Sequence, residues 1–145
     1  MHSLARALFR SIVVGLAFAG LSAGAAAQQK FVNILTGGLR SLLAPDCVFR
    51  SPVAYQPYRG ADRTELVLAT AASVFEDFRY HREFAAGNDV ALEFSARVGE
   101  TELKGIDLVR FNDDGLITEF EVMVRPASGL QALGVAMARR LGGRL

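Results

Sequence analysis

Four runs of alternating apolar and polar residues, at 79–85, 90–98, 101–111 and 116–125, fill most of the second half of the chain. A period of two is the pattern of strands with one face buried. Turn-forming residues separate the runs: Gly87 and Asn88, then Gly99, then Asn112 to Gly115. Connections that short oblige neighbouring strands to run antiparallel. In the second run Leu92, Phe94, Ala96 and Val98 share one face while Glu93, Ser95 and Arg97 share the other, so the sheet has an apolar side and a wet side.

Before Asp77 the period is helical. Phe31, Ile34, Leu35, Leu39, Leu42 and Leu43 fit two short helices joined by a turn at Gly37 and Gly38. Pro45 and Asp46 end that pattern, and Cys47, Val48 and Phe49 begin an extended stretch leading to the loop from Pro52 to Gly60. Asp62 as cap, with Glu65 three residues on, predicts the start of a helix that runs to about Phe75 and buries Val67, Ala71, Val74 and Phe75. After Pro126, Leu130, Leu133, Ala136, Met137 and Leu141 recur at helical spacing, with Arg139, Arg140 and Arg144 at the end that favours cations. This last helix lies over the sheet or holds a second subunit. The expected class is α+β, a curved antiparallel sheet packed on N-terminal helices into a cone.

The 145 residues suit one domain, and 16 Lys plus Arg against 15 Asp plus Glu leave a formal charge of +1. That balance gives no electrostatic reason to expect nucleic acid. A lone cysteine, Cys47, excludes an internal disulfide, and no Cys/His cluster predicts a metal. Residues 1–27 begin with Arg6 and Arg10, continue through an apolar run and end in Ala25, Ala26 and Ala27, the order of a secretory signal. The run is too short and too rich in Gly and Ala for a stable membrane anchor. The expectation is a signal at 1–27, a single domain at 28–145, and a periplasmic or secreted protein. The alternative is that 1–27 form a helix of the domain and the protein is cytoplasmic.

The run Leu42, Leu43, Ala44, Pro45, Asp46, Cys47, Val48, Phe49, Arg50, Ser51, Pro52, followed by Pro57, Tyr58, Arg59 and Gly60, resembles the helix-to-loop segment of the nuclear transport factor 2-like superfamily. Val74 to Tyr80, then Gly105 to Phe111 with Gly115, Leu116 and Ile117, resemble its SnoaL-like branch. The resemblance spans roughly 31–133. It implies a conical shell that hosts isomerases, dehydratases, epoxide hydrolases and cyclases as well as proteins without known catalysis, and it implies a homodimer through the exposed sheet face, with Glu119, Glu121 and Arg125 at a polar interface. The steroid isomerase branch places its acidic, oxyanion-stabilising residue at the position of Asp107. That branch also has a carboxylate base before the loop proline, where this chain has Ser51, and a tyrosine on the first helix, where this chain has none. Both departures argue against steroid-type isomerisation.

Asp107 is the centre of any chemical reading. It alternates with Leu103, Gly105, Val109 and Phe111, so its carboxyl points to the apolar side, where desolvation raises its pKa and lets it donate a hydrogen bond to a ligand oxygen. A purely structural Asp bonded to an arginine or a helix fits the same position. Tyr80 and His81 must face opposite sides. Since Tyr80 shares a face with Arg82 and the apolar Phe84, Tyr80 is expected inside and His81 outside. Tyr55, on the loop that rims the cavity in the resembling family, with Tyr80, Phe94, Val109 and Phe111, completes the expected ligand-binding set. Two functions remain: a protein holding a small apolar molecule without catalysis, or a cofactor-independent isomerase, hydrolase or lyase using Asp107 in acid/base chemistry. Neither calls for a cofactor.

Overall fold

In the computed structural model of the chain, residues 38–144 are described. The expected signal at 1–27 and the first predicted helix lie outside those residues. After a 3-10 turn at Leu39–Leu42 come strands β1 (Leu43–Arg50) and β2 (Tyr58–Arg59), helix α1 (Ala61–Val74), strands β3 (Glu76–Ala86), β4 (Asp89–Val98), β5 (Thr101–Phe111) and β6 (Ile117–Arg125), and helix α2 (Ala127–Leu141).

The six strands form one curved, open sheet in the order β2-β1-β6-β5-β4-β3. The four strands read from the alternation are present and antiparallel in sequence order. Two features correct the expectation. Leu43 to Asp46 are strand rather than the end of a helix, and β1 pairs with β6 in parallel, so the sheet is mixed. The helix starts at Ala61 without a side-chain cap, and Asp62 lies within its first turn, where it pairs with Arg40 instead of forming a capping box with Glu65.

α1 buries Ala61, Thr64, Val67, Thr70 and Val74 along one stripe. α2 buries Gly129, Leu133, Met137 and Leu141 at every fourth position, and lies over the sheet against β4, β5, β6 and α1. A Cβ added at Gly129 would stand 2.7 Å from that of Leu103, so glycine lets helix and strand touch there. On the inner face, Val90, Leu92, Phe94 and Ala96 of β4 oppose Val109, Asp107, Gly105 and Leu103 of β5. The apolar side chains among them belong to two clusters. One gathers Leu43, Cys47, Leu92, Val109 and Ile117, the other Phe49, Phe75, Phe94, Leu103 and Leu133, and Tyr80 and Phe120 pack against both.

Gly105 sits under the ring of Phe94, which is 1% exposed; a Cβ at that position would lie 2.3 Å from the Phe94 ring and 2.6 Å from the Met123 carbonyl oxygen. One of those neighbours is backbone, so a rotamer change alone cannot make room. Gly105→Ala is therefore expected to destabilise the domain by about 1–3 kcal/mol, the usual range for overpacking, read as a lower denaturant midpoint at unchanged slope. An unchanged midpoint would mean that Phe94 is not held as tightly as its packing implies.

Candidate functional site on the inner face of the sheet

Asp107 occupies the middle of β5 and is buried, with 6% of its surface exposed. Its Oδ2 accepts a 2.7 Å hydrogen bond from the Tyr80 hydroxyl, and among the described residues this is its hydrogen-bond partner. The two residues sit on strands separated by β4, so Tyr80 reaches across the sheet. It can do so because aromatic rings wall its path. Tyr80 meets Phe78 edge-on at 4.8 Å between centroids and Phe94 edge-on at 6.5 Å, while Phe78 stacks on Phe94 at 5.1 Å.

Burial pushes the Asp107 carboxyl up from its ordinary value to about 7, against the smaller opposing pull of the Tyr80 hydrogen bond. Burial, then the neighbouring carboxyl, pushes the Tyr80 phenol well above its ordinary value, so Tyr80 stays protonated and remains the donor. Near neutral pH a substantial share of Asp107 is the neutral acid. With Oδ2 occupied by Tyr80, a protonated Oδ1 is a hydrogen-bond donor in an apolar setting.

The inner face holds a second acid that the alternation alone misses. β3 carries a bulge between Tyr80 and Glu83, since Tyr80 pairs with Phe94 while Glu83 pairs with Leu92: three residues advance on one strand against two on the other. Glu83 is thereby turned to the face of Tyr80, and Phe84 is turned outward, where it is 60% exposed. The expectation that Tyr80 shares its face with Phe84 is thus corrected, although Tyr80 itself lies inside. Glu83, Leu92, Asp107 and Val122 form one row across four strands. The residue is only partly buried, yet both carboxylate oxygens are shielded from solvent and neither has a hydrogen-bond partner. Desolvation raises its pKa. The signal was available in the hairpin: counting back from the two-residue turn at Gly87 and Asn88 pairs Ala86 with Asp89 and hence Glu83 with the inward Leu92.

The other expected residues divide. Phe94, Val109 and Phe111 are buried on the inner face, Phe94 against Tyr80 and the other two in the cluster that contains Leu92. Tyr55 is 99% exposed and is not brought to this group. Tyr58 stacks on Phe49 at 6.1 Å. His81 is exposed, with Nε2 2.7 Å from the Ser95 hydroxyl oxygen. Ser51 accepts a 3.2 Å hydrogen bond from the Val53 amide, a turn-forming role. Cys47 is buried and donates to the Thr64 hydroxyl oxygen at 3.4 Å.

On the opposite face Arg110 bonds both Asp89 and Glu119, and Glu119 also receives Arg50. Glu119 is thus paired within its own chain. A groove of about 410 Å³ runs past these charges and past Phe84, Ala91 and Leu108, on the side of the sheet away from Asp107. Among the described residues no cluster of three or more metal-ligating side chains occurs, and no helix is long and apolar enough to cross a membrane.

A SnoaL-like domain profile matches residues 35–120, more than half of the chain, and the chain belongs to that family. It is similar to the crystal structure of a steroid delta-isomerase from Pseudomonas aeruginosa, with 54% identity over 86% of this chain and 95% of that one and a TM-score of 0.77. It is also similar to an uncharacterized bacterial protein with a cystatin-like fold from Silicibacter pomeroyi, at 34% identity over 94% and 91% of the two chains and a TM-score of 0.71. A SnoaL-like polyketide cyclase from Jannaschia, 13% identical over 84% and 91% of the chains, shares the fold at a TM-score of 0.57. Comparison with curated protein sequences found no match.

Because the folded pKa of Asp107 lies above its unfolded value, the folded state holds a proton that the unfolded state has released between about pH 4 and pH 7. Stability contributed by the neutral acid is therefore full below that window, falls as pH rises through it, and levels off above the folded pKa. The total loss is on the order of 4 kcal/mol. Asp107→Asn cannot ionise, so its stability relative to the parent is expected to improve from pH 4 to pH 8 in denaturant titrations. A constant difference across that range would place Asp107 at an ordinary pKa.

Proposed function

We propose that the inner face of the sheet receives a small, mainly apolar molecule bearing a carbonyl-type oxygen, and that neutral Asp107 donates a hydrogen bond to it. The observation that carries this reading is a buried carboxyl with a pKa near 7, fixed on one oxygen by Tyr80 and walled by Phe78 and Phe94. A structural Asp inside an apolar core would be expected to find an arginine or a backbone amide. Asp107 instead has a phenol that occupies one oxygen only.

The second reading makes the same site an acid/base enzyme, an isomerase, hydrolase or lyase without cofactor. It is favoured by the 54% identical protein whose name is steroid delta-isomerase. In this chain the Tyr80 hydroxyl from β3 donates to Asp107 itself, so it orients that acid rather than standing in for a first-helix tyrosine that would bond a ligand oxygen.

Isothermal titration with a conjugated 3-ketosteroid as probe tests the shared core of both readings. Asp107→Leu is expected to keep the fold and weaken ketone binding by about 10- to 100-fold, the loss of one buried hydrogen bond to a ligand oxygen. Binding that is equal in parent and variant overturns the assignment of Asp107.

The outer face supports a homodimer. Phe84, Ile106, Leu108 and Met123 leave large apolar side chains exposed there, Met123 by 53%, and unpaired apolar area favours association. Light scattering is expected to give a dimer mass that Met123→Lys with Ile106→Glu converts to a monomer; a monomeric parent at high concentration would refute it. The basic, apolar and then Ala25-Ala26-Ala27 order at the start supports export, with cleavage leaving Gln28 first in the intact mass of the mature protein.

A further inference from the structure

We propose that the groove on the outer face of the sheet is a binding site for a small organic cation, an ammonium carried on an apolar body. The site is separate from the inner face and does not depend on what binds there. Its volume of about 410 Å³ falls in the range of small-molecule sites. Phe84, Ala91 and Leu108 stand in one row across β3, β4 and β5 and give the groove an apolar floor. The next residue of that row is Glu121 of β6, so the floor ends on a carboxylate. From Glu121 to Ala91 is two strand spacings, roughly 10 Å at the backbone, and Phe84 closes the far end one strand further on. An apolar chain or ring laid across the strands therefore brings an ammonium at its end to Glu121. Ile106 and Met123, the outer-face residues whose replacement tests association, do not line the groove.

The charges along the walls select the sign of the ligand. Glu119 accepts from Arg50 at 2.8 Å and from Arg110 at 3.0 Å, and Arg110 also reaches Asp89 at 2.8 Å. Both guanidiniums are thereby held by carboxylates. Glu121 is left over: it is half-buried, and among the described residues it has no hydrogen-bond or ion-pair partner. Three carboxylates against two guanidiniums give the lining one negative charge in excess. Arg82, 5.9 Å from the centre of the Phe84 ring, is paired with Glu93 and does not line the groove, so it does not supply the missing cation.

An anion entering this groove would have to displace a carboxylate from Arg50 or Arg110. A neutral apolar ligand would strip water from Glu121 and put nothing in its place, which is costly. An ammonium does neither, because its N–H groups donate charge-assisted hydrogen bonds to Glu121 while its apolar body covers Leu108, Ala91 and Phe84.

The experiment compares three probes of one shape, 4-phenylbutylammonium, 5-phenylpentanoate and 4-phenylbutanol, by titration followed through backbone amide shifts. In the parent the ammonium is expected to bind about tenfold or more tighter than the alcohol, with the carboxylate weakest, and the shifts are expected at Ala91, Leu108 and Glu121. Glu121→Gln is expected to bring the ammonium within threefold of the alcohol. Phe84→Ala is expected to weaken both alike, since it shortens the floor without touching the charge. The three-probe comparison in the parent needs no variant to fold. The proposal is overturned by an ammonium that does not saturate, by a carboxylate that binds as tightly as the ammonium, by a preference that survives Glu121→Gln, or by shifts that fall at Tyr80 and Asp107 instead. An Nα-acetyl-lysine amide that binds as tightly as the phenylbutylammonium overturns the small-molecule assignment in favour of a lysine side chain from a protein.

Discussion

The hydrogen bond from Tyr80 to Asp107 is the contact around which the inner face is organised. It joins two strands that are not neighbours, and the aromatic group that guides it also fills the core between α1 and the sheet: Phe75 packs on Phe78 and Phe94, and Phe94 in turn lies over Gly105. A larger residue at 105 would lift Phe94, and Phe94 is the ring against which Tyr80 rests. The low polarity that gives Asp107 its raised pKa comes from the same packing. Fold and electrostatics are therefore not separable here; one set of rings sets both.

Much of the scaffold is readable from local pattern because its information is local. Gly87, Gly99 and Gly115 adopt positive φ at the three turns, a backbone conformation that glycine accepts without strain, and between them the alternation settles which residues face the core. Asp107 is legible for this reason: five alternate residues of a long regular strand leave its direction in no doubt. β1 was not legible as a whole. Its exposed Pro45 and Asp46 break any alternation, and its place in the sheet depends on a parallel pairing with β6, some seventy residues later in the chain. No local rule encodes such a contact.

β3 fails differently. Alternation extended from Tyr80 puts Phe84 inside and Glu83 outside; counting from the Gly87 and Asn88 turn puts Glu83 inside. Both are correct near their own end, and the bulge between them reconciles the two. A disagreement of one residue between pattern and register is thus itself a sign of a bulge, and none of the residues from Tyr80 to Glu83 is a glycine that would mark it. An apolar Phe84 on the same face as Tyr80 predicts Tyr80 inside. Tyr80 is inside, but Phe84 is not, and the reason for the Tyr80 orientation is its register with Phe94.

The bulge has a consequence for how the two faces divide their work. Without it, the regular parity of β3 from Tyr80 would turn both Arg82 and Phe84 to the inner face and leave Glu83 in water; with it, Arg82 is outside, paired with Glu93 and lying over Phe84. The unbulged arrangement would carry the Arg82 guanidinium into the apolar face beside Phe84, a costly burial that the bulge avoids. The chain instead exposes a phenylalanine on the face that carries Ile106, Leu108 and Met123, and brings an unpartnered carboxyl to the face that carries Asp107.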